Sequence, residues 1–328
     1  MIQIYKSKPI NIPQASIITK VYHQIIGYCI DFIPALLPII PVILNIYLTL
    51  TIELFAILYS IALFFSLLWI IYITINFYNI KVKRYTFVSN KITQPVKIAF
   101  VSDLHIGYFW TETNKYKLNK IINIINGLNP NVTIIGGDIL NHNFTPKLVS
   151  VLKNINGSKL AVLGNHDHLY ISKEYTKETE VALIKKLEEC NIQVLQNEGY
   201  QLTNEIFIGG IKDLYTLDFD INRALKGSKN NQYKILISHN PDIISYTEDL
   251  NDIDLILSGH NHSGQINFLG FRLPMPTMRK WLTQGIYEIS KTTKLLLSSG
   301  VGASETRLRI GTNFEILEIE IEPENATL

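Results

Sequence analysis

Cysteine is nearly absent: Cys29 and Cys190 are the only two in 328 residues. A disulfide framework is therefore not indicated, and a reducing compartment fits. Charge is missing from one long stretch, since Glu53 is the only charged residue between Phe32 and Ile80. A basic excess is lacking as well. Thirty lysines and arginines face 28 acids, for a net charge of +2. The first 80 residues hold only Lys6, Lys8, Lys20, Asp31 and Glu53, so the remainder is close to neutral. That balance argues against nucleic acid as a partner, which would require a clustered basic face. Internal repeats and low-complexity tracts are also absent, which leaves an ordinary globular architecture for the polar part of the chain.

Apolar bulk dominates what is present, with 47% of residues hydrophobic. A membrane-spanning helix needs about 20 apolar residues, and Leu54 to Ile80 is one uninterrupted uncharged run. An earlier segment, about Ile25 to Leu44, contains Asp31, Pro34, Pro38 and Pro41. Proline is tolerated inside a bilayer when neighbours satisfy the freed carbonyls, so this segment is expected to span or to lie kinked in the interface. The combined length disfavours a buried helix pair of a soluble core. It also exceeds a signal-peptide core, and no small-residue cleavage pattern stands out. Residues 1–80 are thus expected to form an N-terminal transmembrane helical hairpin, and residues 81–328 a domain able to bury a sizeable core. Lysines without acids occupy residues 1–20, and Lys81, Lys83, Arg84, Lys91 and Lys97 follow the second run, whereas Asn45 to Glu53 has no Lys or Arg. The positive-inside rule then places the hairpin in the inner (cytoplasmic) membrane with the domain on the cytoplasmic side. The orientation reverses if a single segment spans.

Residues 81–328 repeat one local theme, a short apolar run followed by a turn and a polar residue. Val96–Val101 leads to Asp103 and His105, Val132–Ile135 to Gly137 and Asp138, and Leu160–Leu163 to Gly164, Asn165 and His166. Ile235–Ile237 leads to His239, and Leu255–Leu257 to Gly259 and His260. Such runs read as buried strands. Helical patterns over Tyr116–Leu128 and Thr179–Glu189 alternate with them, which implies an α/β core with parallel pairing. Later segments, Tyr200–Gly210, Lys294–Ser298 and Phe314–Glu322, read as strands with few helices between, the last with one solvated face. The expected fold is a two-sheet β-sandwich flanked by helices.

The polar residues at the strand ends have a common chemistry. Asp-x-His and His-x-His set alternate side chains on one side of an extended loop, and a preceding glycine lets the backbone turn sharply. Carboxylate oxygen and imidazole nitrogen together suit Mn, Fe or Zn better than Ca. Five of the eight histidines fall in this pattern. Taken singly, each piece is a common turn or surface motif; the ordered series is what points to a metal site.

That series, Asp103-Leu-His105, Gly137-Asp138, Gly164-Asn165-His166-Asp167, His239 and Gly259-His260-Asn-His262, resembles the calcineurin-like metallophosphoesterase superfamily over roughly Val96 to Leu317. The Asp-Leu-His-Ile-Gly opening and the Ser-Gly-His-Asn-His-Ser-Gly-Gln-Ile run look most like its bacterial membrane-associated phosphodiesterase branch, apart from Asn261 and Ser263. The resemblance implies that Asp103, His105 and His262 hold one divalent metal, that Asn165, His239 and His260 hold a second, and that Asp138 bridges them. Such a pair activates water and offsets charge on phosphoryl oxygens. It further implies that His166 stays off the metals and serves the leaving oxygen, with Asp167 orienting its ring; the alternative for His166 is loop support alone. His142 and His168 receive no ligand role. Tyr108-Phe109-Trp110 either rims the site or packs inward, and the basic-aromatic stretch from Arg272 to Leu282 either meets a phosphate head group or is a plain loop. The implied partners are a phosphoester substrate, a lipid one above all, and the membrane. A non-catalytic metal-binding scaffold, or the regulatory domain of a membrane complex, is the alternative.

Overall fold

The computed structural model describes Cys29 and residues 31–48, 51–141, 144–168, 177–246, 252–268, 271–272, 282–303 and 306–324. His142 and most of the Arg272–Leu282 stretch, including Arg279, Lys280 and Trp281, lie outside the described residues.

Among the described residues, fourteen strands run in chain order: β1 (Ile80–Ser89), β2 (Val96–Val101), β3 (Val132–Gly136), β4 (Ser158–Val162), β5 (Gln193–Val194), β6 (Glu198–Gln201), β7 (Ile206–Gly210), β8 (Tyr233–Ile237), β9 (Leu255–Ser258), β10 (Asn267–Phe268), β11 (Phe271–Arg272), β12 (Gly285–Glu288), β13 (Lys294–Leu297) and β14 (Phe314–Pro323). Twelve of them form two six-stranded sheets, ordered β1-β14-β2-β3-β4-β5 and β12-β13-β9-β8-β7-β6, while β10 and β11 make a small ribbon. The helices needed below are α1 (Ile39–Leu48), α2 (Ile52–Tyr78), α3 (Lys115–Leu128) and α4 (Lys177–Glu188).

Side-chain alternation builds the layers. In β2, Val96, Ile98 and Phe100 enter the core between the sheets, while Ala99 and Val101 face the helices. Ile235, Ile237, Leu255 and Leu257 reach the same inter-sheet core from the second sheet, whereas Leu236 and Ile256 fill the layer on its far side. Leu118, Ile121, Ile122 and Ile125 form the buried stripe of α3, and Leu183 and Leu187 that of α4; both pack on the first sheet. The architecture is the expected sandwich flanked by helices. Strands β2, β3, β4 and β5 are mutually parallel, as are β7, β8, β9 and β13.

One strand departs from its sequence pattern. Phe314–Glu322 alternates apolar residues with Glu, but β14 lies inside the first sheet, parallel to β1 and antiparallel to β2. The expected solvated face is only partly open: Glu318 is 8% exposed and Glu320 and Glu322 are half-buried, while Glu315, on the opposite face, is 0% exposed. The reason is charge pairing with the neighbouring strands, Glu315 with Lys83 at 2.7 Å and Glu318 with Arg84 and Lys97.

The second apolar run is one 27-residue helix, α2, capped by the Thr51 side chain and carrying Glu53 in its first turn, where the helix dipole favours an acid. Ile57, Phe64, Phe65 and Leu67 are each more than half exposed along it. Among the described residues it is the one helix long and apolar enough to cross a membrane. The first segment is broken: a 3-10 turn at Ile33–Leu36 with Pro34 inside precedes α1, whose 10 residues span only about 15 Å. Ser66 of α2 donates to the Pro34 carbonyl at 2.6 Å, and Trp69 to the Asp31 carbonyl at 3.1 Å.

Candidate metal centre

Most of the expected ligand set sits on left-handed backbone. Asp103, His105, Asp138, His260 and His262 all have φ between 45° and 78°. Non-glycine residues rarely adopt that region, and each instance stores about 1–3 kcal/mol. Loops leaving β2, β3, β4, β8 and β9 converge here, so both sheets contribute from the carboxyl ends of parallel strands, the edge where open α/β sheets place ligands.

Glycines make the approach possible. A Cβ on Gly164 would lie 2.5 Å from the Asp138 backbone nitrogen, and one on Gly137 2.5 Å from His239 Nδ1. Gly300 passes equally close behind Asp103, with 2.7 Å from its ideal Cβ to the Asp103 Cβ. The aspartate and histidine loops are thus in contact through backbone where any side chain would intrude.

Among the described residues the side chains meet in three groups, each with ligand atoms within 4.8 Å of one another: Asp103, His105 and His262; His105, Asp138 and His166; Asp138, His239 and His260. Asp138 Oδ2 lies 3.2 Å from His239 Nε2 and 3.8 Å from His105 Nε2. His105 and His262 bring their Nε2 atoms within 3.1 Å, and His239 Nε2 stands 3.2 Å from His260 Nδ1. Nitrogens this close share either a proton or a cation. Asn165 Oδ1 is buried with no hydrogen-bond partner, which a cation would satisfy. The residues therefore fit divalent metal: a carboxylate common to two donor groups, imidazole nitrogens around it, and an orphaned amide oxygen at the rim.

Surrounding contacts fix these donors. His239 Nδ1 is 2.8 Å from the Gly136 carbonyl, an acceptor that holds the proton on Nδ1 and frees Nε2. The His260 backbone N–H donates to Asp103 Oδ1 at 3.0 Å, and the His166 N–H to Asp138 Oδ1 at 2.9 Å. Burial would push Asp138 up, but His239, His166 and His105 hold it well below the usual carboxylate range. His239 answers in kind: burial lowers it, yet Asp138 drives it up to about 10. Metal binding must expel that proton. Burial, with His105 and Arg309 beside it, pushes His262 well down, so its ring is the neutral form that ligation needs.

His166 and Asp167 are arranged differently from expectation. His166 stands with its ring centroid 4.7 Å from that of His105, inside one of the donor groups. Asp167 does not orient it. The Asp167 carboxylate accepts from the backbone N–H groups of Ile139, Leu140 and Gly164 at 2.9–3.0 Å, tying the third loop to the second, while His166 Nδ1 faces the Asn141 carbonyl at 3.2 Å. Burial and the nearby Asp138 raise the Asp167 carboxyl to about 7. His168, unassigned from sequence, is buried and pairs with Glu180 at 2.9 Å.

Sequence reasoning missed Arg309, Tyr215 and a role for Asp31. The Arg309 guanidinium is buried, 3.2 Å from His262 Nδ1 and 2.9 Å from the Gly302 carbonyl. Tyr215 tilts against His260 with centroids 5.9 Å apart. No local pattern announces either residue. Asp31 did carry a signal, a lone acid in an apolar segment.

Buried aspartates and histidines drawn from five strand-end loops form a site able to hold divalent metal. Residues 96–264 match the model of the calcineurin-like phosphoesterase family, and the chain belongs to that family. An uncharacterized metallophosphoesterase of Helicobacter pylori is 30% identical over 75% of this chain and 65% of its own length. One from Aquifex aeolicus is 27% identical over 76% of this chain and 94% of its own. A bovine transmembrane protein with a metallophosphoesterase domain is 28% identical over 68% of this chain and 52% of its own. This chain thus covers less than two thirds of the Helicobacter relative. Among solved structures, a phosphopantetheinyl hydrolase from Mycobacterium tuberculosis superposes with a TM-score of 0.38 at 8% identity over 62% of this chain and 90% of its own, too remote a likeness to bear on chemistry.

Proposed function

We propose that this protein hydrolyses a phosphodiester or pyrophosphate of a membrane lipid, as a dinuclear enzyme anchored through its N-terminal apolar region in the inner membrane. The observation that carries the reading is Asp138, whose Oδ2 lies 3.2 Å from His239 Nε2 and 3.8 Å from His105 Nε2, within reach of a ligand of each set. In this reading Asp103, His105 and His262 hold one divalent ion, Asn165, His239 and His260 the other, and Asp138 stands between. Bound there, Mn, Fe or Zn ions would supply an activated water and offset phosphoryl charge. His166 serves the leaving oxygen as proton donor or charge stabiliser. Asp167 braces its loop through three backbone N–H groups. Arg309, buried beside His262, keeps cationic charge near the phosphoryl position.

The lipid assignment rests on how the site loops meet α2. Trp69 and Ile73 of α2 pack in one cluster with Trp110, Ile266, Leu308 and Ile310. Trp110 follows the Asp103–His105 loop, Ile266 follows the His260–His262 loop, and Leu308 and Ile310 flank Arg309. Residues 81–328 are then the catalytic domain and residues 1–80 the anchor, with the domain on the cytoplasmic side if both apolar segments cross.

The test is hydrolysis of bis-p-nitrophenyl phosphate with added manganese, followed by exposure of the purified protein to a membrane lipid extract with product identification by mass spectrometry. Chelator-sensitive turnover and a released phosphorylated head group are expected. Turnover of the soluble diester without any lipid product would overturn the substrate assignment; absence of metal-dependent turnover on both would overturn the enzymatic reading.

A further inference from the structure

We propose that residues 107–116 form a rigid tongue that inserts into the lipid monolayer beside α2, a proposal that rests on the membrane reading of α2 given above. The tongue is preformed. Gly107 N–H donates to the Thr113 carbonyl at 3.2 Å, and Thr113 N–H to the His105 carbonyl at 2.8 Å, closing its base. The buried Glu112 carboxylate accepts from the Phe109 N–H at 2.8 Å and from the Asn141 side chain at 3.2 Å, holding the turn from within. A Cβ on Gly107 would collide with that carboxylate, so the turn is built around it.

The tongue is fastened to the anchor at two points. Trp110 Nε1 donates to Asp31 Oδ2 at 3.2 Å, its ring lies 5.3 Å from that of Phe32, and the Arg307 guanidinium covers it at 3.8 Å. Asn114 Nδ2 donates to the Tyr78 hydroxyl at 2.8 Å, at the far end of α2. Between and beside these fastenings the remaining aromatics project outward: Tyr108 is 67% exposed, Phe109 53% and Tyr116 82%. Exposed aromatic rings gathered on one short segment mark an interaction surface.

The position of the tongue along α2 names what covers it. Trp69, Ile73 and Phe77 form the stripe of α2 that meets the domain, while Ile71, Tyr72 and Ile75, on its other side, are 44–65% exposed. The last two and a half turns of α2 are therefore shared between domain and surroundings, which lowers the domain to the level of the interface. Tyrosines and tryptophans favour that level. Exposed Lys115 and Lys120 flank the rings, and Lys120 lines a groove with Thr74, Ile75, Tyr78 and Asn79 against α2; ammonium groups so placed meet anionic head groups. The occupant is a lipid monolayer, and the metal site, rooted at His105 two residues before the tongue, opens beside it.

Site-directed spin labelling tests this on the full chain in phosphatidylcholine–phosphatidylglycerol vesicles, in a Cys29→Ser, Cys190→Ser background. A nitroxide is placed in turn at positions 108, 109 and 116, with position 64 in α2 and position 217, on a loop 73% exposed, as references. Expected is greater collision with molecular oxygen than with a water-soluble chromium complex at 108, 109, 116 and 64, and the reverse at 217. Aqueous accessibility at 108, 109 and 116 with position 64 still oxygen-accessible overturns the tongue and leaves the anchor intact. Aqueous accessibility at 64 as well overturns the membrane reading itself. Shielding from both reagents at 108, 109 and 116 also overturns the proposal, since protein and not lipid then covers the rings.

Discussion

Gly164→Ala tests the claim that close backbone approach sets the metal centre. The added methyl would stand 2.5 Å from the Asp138 nitrogen and press on its carboxylate. Ordinary van der Waals contact begins near 3.4 Å, so one of the two loops must retreat by about 0.9 Å. Neither can do so freely, because Asp167 of the Gly164 loop is bonded to Ile139 and Leu140, just beyond Asp138. A displacement of about 1 Å in a catalytic array costs about 10²-fold, equivalent to about 2.7 kcal/mol of transition-state stabilisation. The assay is kcat/KM on bis-p-nitrophenyl phosphate at saturating manganese, with circular dichroism to establish folding. Gly127→Ala is the control. Gly127 lies within α3 with nothing within 4 Å of where the added methyl would stand, so that variant should keep full activity and gain up to about 1 kcal/mol of stability from helix propensity. A folded Gly164→Ala protein with native kcat/KM would refute the reasoning.

His166→Ala should lower kcat by about 10²–10⁴-fold, the range for loss of a general acid, with metal content by mass spectrometry unchanged; loss of metal instead would make His166 a ligand. Asp31→Ala strips the acceptor from Trp110 Nε1, the Thr306 hydroxyl and the Arg307 N–H. Leaving a buried donor without its acceptor costs about 1–3 kcal/mol, so hydrogen exchange should rise in 106–113 and 306–310, and unchanged protection there would count against the docking role. His168 is raised above its ordinary value: burial lowers it, but Glu180 outweighs burial. The stabilisation from that raised value is complete below about pH 6.5 and fades as pH climbs through the folded value. Denaturant unfolding of the native protein should therefore lose stability, relative to His168→Gln, as pH rises above about 6.5, and parallel pH profiles would dismiss the pair.

Much of the core was legible because its signals are local. Val96–Val101 matches β2 residue for residue, and α2 keeps the length of the uncharged run from Leu54 to Ile80, shifted by two residues. The ligand residues could be read because each follows a strand and a turn, and parallel strands deliver their ends to one edge. What escaped depends on partners far away in the chain. The Lys-rich segment after α2 looked like a membrane flank, yet Lys83 and Arg84 belong to β1 and neutralise Glu315 and Glu318, more than 200 positions later. Asp31 meets Thr306 across 275 residues. Asp167 sits beside His166 in sequence, but its carboxylate turns back to three main-chain donors.

A single residue, Asn79, separates the end of α2 from the start of β1. Phe77 stacks edge-on against Phe314 of the neighbouring strand, and buried Lys117 lies between those two rings. So short and packed a joint leaves no hinge between α2 and β1 on which the domain could swing. On the proposed anchoring, such a joint would hold the site at a fixed height above the bilayer, so turnover of a lipid substrate would follow its two-dimensional density in one leaflet.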